Sequence, residues 1–197
     1  MIIDTSGSIN ETDLLAAAQN KSLDLVRNMS VGSTIAVRAM NSDVTAVCTD
    51  VIFRLPVQEN LALEKKARET NQQAVGVKIP ELIACSQKHG SATELFGGLA
   101  DAFRSYPTSS EAWVFSDLCD TTLSVGGTCK AAVLSDPQHV ADSIPDSLTP
   151  DLSSRPNIIY IGAGRGSRLD AGSLENLRTV VGLWTKRAGA TYEFRTV

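Results

Sequence analysis

The feature that most constrains the fold is the stretch from Met1 to Ile9, where an apolar run leads into Asp4 and serines follow at alternate positions. Residues 10–13 carry side chains that commonly cap helices. Apolar residues then recur at helical spacing at Leu14, Ala18, Leu25 and Met29. This pattern predicts a buried strand, a tight loop and an amphipathic helix. Oxygen ligands crowded into such a loop suit a hard divalent cation such as Mg²⁺.

Asp4, Ser6 and Ser8 form the pattern Asp-x-Ser-x-Ser. This pattern resembles the start of the metal-ion-dependent adhesion site of von Willebrand factor A domains. The resemblance implies that Ser6 and Ser8 contact the ion, while Asp4 acts mainly through waters or hydrogen bonds. Asp and Ser are also ordinary residues of turns and helix caps, so the interpretation depends on the rest of the chain.

A second segment resembles the loop of that family which supplies a third hydroxyl ligand. Thr93, Leu95, Gly98 and Leu99 fit the form Thr-x-Leu-x-x-Gly-Leu, in which the threonine opens a helix. Ala92 stands where the family often has glycine, and this is a departure from the pattern. The alternative is that Thr93 is only a helix N-cap, which is compatible with a ligand role.

A third segment, Glu111 to Leu118, is an apolar run that ends in a carboxylate, Asp117. Strands that are buried on both faces have this composition. The run resembles the fourth strand of the same family, which delivers the remaining aspartate of the metal site. Three segments in the family's order extend the resemblance over most of the chain.

The resemblance implies a doubly wound, Rossmann-like α/β fold with a mostly parallel six-stranded sheet and helices on both faces. The remaining strands are predicted over 34–40, 47–55, 156–162 and 190–195. A hairpin at residues 41–43 would make one edge strand antiparallel. No linker or internal repeat divides the chain, so we expect a single domain over residues 1–197.

The predicted helices differ in how clearly the sequence defines them. Residues 61–73 favour a helix, which we expect Gly76 and Pro80 to interrupt before a short helix over 81–87. Residues 134–154 are rich in Ser, Asp and Pro and hold at most one short helix, near 138–144. The last helix should be capped by Asp170 or Ser173 and end at Gly189, with an apolar stripe of Leu174, Leu177, Val181 and Trp184.

The net charge of -4 argues against a nucleic-acid-binding surface. No apolar run approaches the roughly 18 residues that cross a bilayer, and no signal peptide is visible. The strand at residues 1–3 is short for the centre of a sheet. Either the sheet starts short, or upstream residues were removed. The chain as it stands favours a cytoplasmic location, and an extracytoplasmic location stays open if such residues existed.

The four cysteines are too widely spaced for a zinc site of the Cys-x2-Cys kind. Cys48 and Cys85 lie in apolar segments, so we expect them to be buried free thiols. Cys119 and Cys129 flank a loop that a disulfide would close in an oxidising compartment. Whether that second pair is bonded stays open at the level of sequence.

A glycine-rich turn follows the strand predicted over 156–162. Gly162, Gly164 and Gly166 invite comparison with dinucleotide-binding loops, but Ser167 replaces the third glycine of Gly-x-Gly-x-x-Gly. No βαβ unit follows to supply an acidic partner for a ribose. We therefore expect Gly164 and Gly166 to shape a turn beside the metal loops, with no dinucleotide bound.

The resemblance implies a divalent-metal-dependent, non-enzymatic protein-binding module of the adhesion type, with no catalytic residues and no organic cofactor. Its bound Mg²⁺, with Mn²⁺ or Ca²⁺ as alternatives, would be completed by an Asp or Glu of a protein partner. The predicted metal site consists of Asp4, Ser6, Ser8, Thr93 and Asp117.

Two alternatives stay open for the function. One is a scaffold subunit of a larger complex, with a metal that contacts no partner. The other is a metal-dependent hydrolase, which would need a base near the ion. His89 is the one tempting residue for that role, although no second carboxylate pairs with it, and His139 has less support.

Overall fold

The computed structural model describes residues 1–6, 12–40, 48–58, 60–89, 92–152 and 157–196. Within these ranges the strands are β1 (Ile2–Asp4), β2 (Thr34–Met40), β3 (Val51–Arg54), β4 (Glu111–Phe115), β5 (Asn157–Ile161) and β6 (Tyr192–Arg195). They form one six-stranded sheet in the order β3-β2-β1-β4-β5-β6. β3 runs antiparallel to β2, and the other neighbouring pairs are parallel. The predicted α/β sheet with one antiparallel edge strand is confirmed.

Helices pack around this sheet, as predicted. They are α1 (Thr12–Arg27), α2 (Leu61–Gln87), α3 (Leu95–Ser105), α4 (Ala131–Leu134), α5 (Pro137–Asp142) and α6 (Ala171–Arg187), with a 3-10 turn at Asp146–Leu148. Among the described residues, no helix combines the length and the apolar character that crossing a membrane requires.

Alternating residues of the central strands feed two separate cores. Ile2 and Val114 point to one face and pack in a cluster that includes residues of α3 and α6. Ile3 and Phe115 point to the opposite face, where α1 and α2 pack. Since side chains alternate across a strand, a strand covered on both faces must be apolar at every position. This explains the continuous apolar runs of β1, β4 and β5.

β1 lies at the centre of the sheet, between β2 and β4. Ile3 pairs with Ala39 on one side and with Phe115 on the other. The chain moves outward from β1 in one direction to β2 and in the other to β4, so the strand order reverses here. In doubly wound sheets, the loops that follow the two strands at such a reversal diverge, and ligands bind in the crevice between them.

The predicted break in the second helix is wrong, because α2 runs without interruption from Leu61 to Gln87. Its buried residues Val75, Ile79, Leu82 and Ser86 follow helical spacing across both Gly76 and Pro80. Burial of this stripe against the sheet outweighs the local cost of proline, which is about 3 kcal/mol in a helix interior. Tertiary packing thus overrides the local signals on which the prediction depended.

Several smaller differences concern element boundaries. β3 starts at Val51, later than predicted, and residues 41–47 lie outside the described ranges together with the predicted hairpin. α5 confirms the short helix predicted after Leu134, while α4 and the 3-10 turn were not predicted. The buried stripe of α1 passes through Val26, and Leu25 is only half-buried.

The carboxyl-terminal elements follow the prediction closely. The Asp170 side chain caps α6 by accepting a hydrogen bond from the Ser173 amide at 2.8 Å. Gly189, with φ of +85°, follows the end of that helix. Trp184 is fully buried in the core, as expected, and β6 forms an edge of the sheet.

Both cysteine pairs are bonded in the structure. Cys119 and Cys129 form a disulfide with a Cα–Cα distance of 5.1 Å, which settles the alternative that the sequence left open. Cys48 also bonds Cys85, with a Cα–Cα distance of 6.0 Å, so the expectation of free thiols there is wrong. The unbroken α2 accounts for the error, because it carries Cys85 along the sheet to the segment that precedes β3.

Candidate functional site

Asp4 is the last residue of β1 and is completely buried. Its Oδ1 accepts a hydrogen bond from the Ser6 amide at 2.9 Å, and this local bond shapes the turn that follows the strand. Its Oδ2 accepts one from the Ser116 hydroxyl at 2.7 Å. The carboxylate therefore connects the ends of the two central strands, β1 and β4.

Asp117 lies just beyond β4 and is also buried. Its Oδ1 accepts a hydrogen bond from the Cys119 amide at 2.9 Å. Its backbone carbonyl accepts one from the Gly164 amide at 2.7 Å. Gly164 has φ of +72°, a conformation that glycine adopts without strain. The expectation that this glycine shapes a turn beside the predicted metal loops is therefore supported by its contact with Asp117.

The electrostatic state of Asp4 follows from its surroundings. Burial, together with the nearby charge of Asp117, raises the pKa of Asp4 to about 7, and hydrogen bonds from Ser6 and Ser116 offset only part of this effect. No basic side chain of the described residues forms an ion pair with Asp4. A divalent cation between the two carboxylates would remove their mutual repulsion, so their chemistry fits such an ion.

Leu118 follows Asp117 and has φ of 66°, so this bulky residue adopts the left-handed conformation. Such a backbone costs on the order of 1–3 kcal/mol, and these residues cluster at functional sites. The Leu118 amide donates to the Ser116 hydroxyl at 2.9 Å, and its carbonyl accepts from the Thr128 hydroxyl at 3.2 Å. These bonds hold the sharp turn that directs the chain away from Asp117.

Thr93 is buried and lies two residues before the start of α3. Its amide donates to the Thr121 hydroxyl at 3.1 Å, and its carbonyl accepts from the Thr121 amide at 2.9 Å. These bonds attach Thr93 to the loop that leaves Asp117. The alternative role as N-cap is wrong, because Glu94 occupies the N-cap position of α3.

Sequence reasoning missed Asp120, which is buried behind this site. Its Oδ2 accepts a hydrogen bond from the Phe96 amide in the first turn of α3, at 3.2 Å. Its Oδ1 accepts from the amides of Thr122 and Leu123 at 2.8 and 3.1 Å. Asp120 therefore fixes the start of α3 relative to the Asp117 loop. An aspartate followed by two threonines is a turn signal that predicts the second set of bonds, although not the bond to α3.

Thr5 is the unspecified residue (x) between Asp4 and Ser6 in the Asp-x-Ser pattern, and it has contacts that the sequence did not reveal. Its hydroxyl lies 2.7 Å from the Ser86 hydroxyl of α2 and donates to the Met40 carbonyl at 3.1 Å. The loop after β1 is thus joined to the last turn of α2 and to the end of β2. These contacts limit how far Ser6 can shift.

The structure brings most of the predicted site residues to one edge of the sheet. Asp4 and Asp117 interact electrostatically, Ser6 lies beside Asp4, and Thr93 is bonded to the loop that follows Asp117. Ser8 lies outside the described residues.

The hydrolase alternative considered two histidines, His89 and His139, as a base near the ion. His89 is beside the Cys48–Cys85 disulfide, and His139 is exposed on α5. Neither has a contact that joins it to Asp4 or Asp117 among the described hydrogen bonds.

Comparison with models of known protein families and with curated protein sequences finds no match to this chain. The site combines hard oxygen donors with two buried carboxylates at the switch point of the sheet, which is where ligands of doubly wound sheets bind.

Proposed function

We propose that this chain is a von Willebrand factor A-type domain that binds a divalent cation and, through it, a carboxylate of a protein partner. The observation that carries the proposal is the pairing of Asp4 with Asp117. These two buried carboxylates lie at the ends of adjacent parallel strands. Burial of Asp4 and the nearby charge of Asp117 raise the pKa of Asp4 to about 7. Keeping two such groups together is costly for the fold unless a cation binds them.

The residues proposed to hold the ion are Asp4, Ser6, Ser8, Thr93 and Asp117. Mg²⁺ is the preferred ion because every donor is an oxygen, and Mn²⁺ or Ca²⁺ would replace it in the same set. A bound divalent ion would supply a Lewis-acidic position for an anionic oxygen. In the family that the chain resembles, neutral serine and threonine hydroxyls touch the ion and the two aspartates act mainly through waters or hydrogen bonds. Much of the ion's charge would then stay available to a carboxylate of the partner.

The chain's own residues prepare this site by fixing positions in advance. Asp4 orients the Ser6 amide, and Ser116 holds Asp4 from the neighbouring strand. Thr121 fixes the backbone of Thr93. A ligand set whose members are held by surrounding hydrogen bonds loses little entropy on binding an ion.

Metal binding by variants tests the first half of the proposal. Titration calorimetry with Mn²⁺ should show one site in the wild-type protein, weakened at least about tenfold in Asp4→Ala and in Asp117→Asn because a buried carboxylate is lost. Asp24→Ala is the matched control, since Asp24 is an exposed carboxylate on α1 and should leave Mn²⁺ affinity unchanged. Equal affinity in Asp4→Ala and in the wild type, with both folded by circular dichroism, would refute the proposed site.

The second half concerns the carboxylate of the partner. Bound Mn²⁺ relaxes water protons strongly, and displacing its water with a carboxylate lowers that relaxation. A short peptide with an acetylated N-terminus, an amidated C-terminus and one aspartate should lower it, while the same blocked peptide with asparagine should not. If Mn²⁺ binds but neither peptide has an effect, the scaffold alternative gains support.

A further inference from the structure

A second cluster of potential ligands lies around the Cys48–Cys85 disulfide. The two sulfur atoms and a ring nitrogen of His89 all lie within 4.8 Å of one another. Cys85 is in the last turn of α2, and His89 follows four residues later. The His89 amide donates to the Ser86 carbonyl at 3.0 Å, so the helical turn continues far enough to place both side chains on one face.

The disulfide alone does not account for this histidine. A disulfide needs no imidazole beside it, and the candidate site at Asp4 has no described bond to His89. The histidine is exposed, whereas Cys48 and Cys85 are half-buried. The three donors come from two segments, because Cys48 precedes β3 and the other two lie at the end of α2. Metal sites in proteins commonly bring cysteine and histidine ligands together from separate segments in this way.

We propose that reduction of the Cys48–Cys85 disulfide opens a second metal site, in which Cys48, Cys85 and His89 bind a thiophilic ion such as Zn²⁺. A phosphine or dithiol reductant supplies two electrons to the sulfur–sulfur bond, and the two sulfurs take up two protons to become thiols. Metal binding then releases those protons to solvent, and the neutral ring of His89 contributes a nitrogen lone pair. The inference does not depend on the function proposed for the Asp4 site.

The donor set selects the kind of ion. Two thiolates and an imidazole suit Zn²⁺ and disfavour Mg²⁺, which requires oxygen ligands. A cavity of about 300 Å³ borders Cys48 and Cys85, and Glu81 also lines it. The fourth position of a tetrahedral ion would thus be open to water. The carboxyl end of the long α2 helix adds negative partial charge, which also favours a cation there.

Cobalt titration of the whole chain tests this site separately from the first. The protein is reduced with a phosphine and kept in excess Mg²⁺, and Co²⁺ is added while thiolate-to-cobalt charge transfer is followed in the near ultraviolet. The reduced protein should take up one equivalent with this absorption, and Zn²⁺ should displace it. The oxidised protein should show no such absorption. Oxygen-only sites give no thiolate signal, so failure here is distinguishable from failure at Asp4.

Variants identify the ligands. Cys48→Ser should abolish the charge-transfer absorption, and His89→Ala should weaken Co²⁺ binding about tenfold or more. The His89 variant changes an exposed side chain, so it should fold even if the cysteine variant does not. His139→Ala and the double variant Cys119→Ser/Cys129→Ser are the controls and should bind Co²⁺ as the wild type does.

Several results would overturn the proposal. One is a reduced protein that shows no charge-transfer absorption with Co²⁺. This outcome includes the case in which reduction unfolds the protein and Co²⁺ does not restore the fold. Another is an unchanged affinity in His89→Ala. A third is absorption that disappears in the Cys119/Cys129 double variant and persists in Cys48→Ser, since the thiolates would then belong to the other pair.

Discussion

The raised pKa of Asp4 makes the stability of the folded chain depend on pH. In the folded chain its pKa is about 7, whereas its ordinary value is 3.8. The folded state therefore keeps a proton on Asp4 at a pH where the unfolded state has lost it. The favourable contribution of this group is fully present below about pH 4 and is lost as the pH rises through about 7.

Replacing Asp4 with asparagine should stabilise the metal-free protein at neutral pH. Asparagine keeps an acceptor for the Ser6 amide and cannot ionise beside Asp117. In a chelator, we expect the free energy of unfolding of Asp4→Asn to exceed that of the wild type by on the order of a few kcal/mol at pH 8, and this difference to shrink towards pH 4. Urea denaturation at several pH values measures it.

Asp24→Asn is the control for this pH series. Asp24 is exposed, and its hydrogen bond to Lys21 lowers its pKa, so its replacement should not stabilise the protein at pH 8. If Asp4→Asn were no more stable than the wild type across the whole pH range, burial and the charge of Asp117 would not disfavour the ionised form of Asp4, and this would contradict its raised pKa.

At the scale of elements, glycines in two helices should respond oppositely to alanine. A Cβ at the exposed Gly76 of α2 would meet no atom within 4 Å, and at Gly98 of α3 it would overlap the Met40 side chain. We expect Gly76→Ala to stabilise the protein by about 0.5–1 kcal/mol and Gly98→Ala to destabilise it by about 1–3 kcal/mol. Thermal unfolding measures both changes. Destabilisation by Gly76→Ala would contradict the unbroken α2 helix.

The disulfide between Cys119 and Cys129 closes a short loop beside the candidate site, with a sequence separation of 10. Replacing both cysteines with serine should lower the free energy of unfolding by about 2–3 kcal/mol, since the unfolded chain gains freedom. We also expect weaker Mn²⁺ binding, because this loop holds Thr121 against Thr93. Calorimetry with Mn²⁺ checks the second expectation, and unchanged affinity would show that the loop keeps its position without the bond.

The positions of Asp4 and Asp117 in the fold were predictable from the sequence. Asp4 and Asp117 each terminate an apolar run, and parallel strands bring their carboxyl ends to one edge. The contacts of Asp120 with Phe96 and of Thr5 with Ser86 were not predictable, because they join residues far apart in sequence. The continuation of α2 through Pro80 likewise depends on a packing stripe that only the assembled sheet provides.

Across the whole molecule, each face of the sheet is covered by helices that contact the loops of the candidate metal site. α1 and α2 cover one face, and α2 carries both Ser86, which contacts Thr5, and Cys85, which is half of a disulfide. α3 and α6 cover the other face. α3 begins two residues after Thr93, and the Phe96 amide in its first turn donates a hydrogen bond to Asp120. The candidate metal site thus lies where both layers meet the end of β1. Disulfides such as Cys48–Cys85 and Cys119–Cys129 are typical of proteins in oxidising compartments.

The most direct test of the central claim is a crystal structure grown in excess Mn²⁺, with anomalous scattering used to locate the ion. We predict a peak bounded by Ser6, Ser8 and Thr93, close to Asp4 and Asp117, and completed by water or by a carboxylate of a neighbouring molecule. Ordered loops at these residues with no anomalous peak between them would contradict the proposed metal-dependent function.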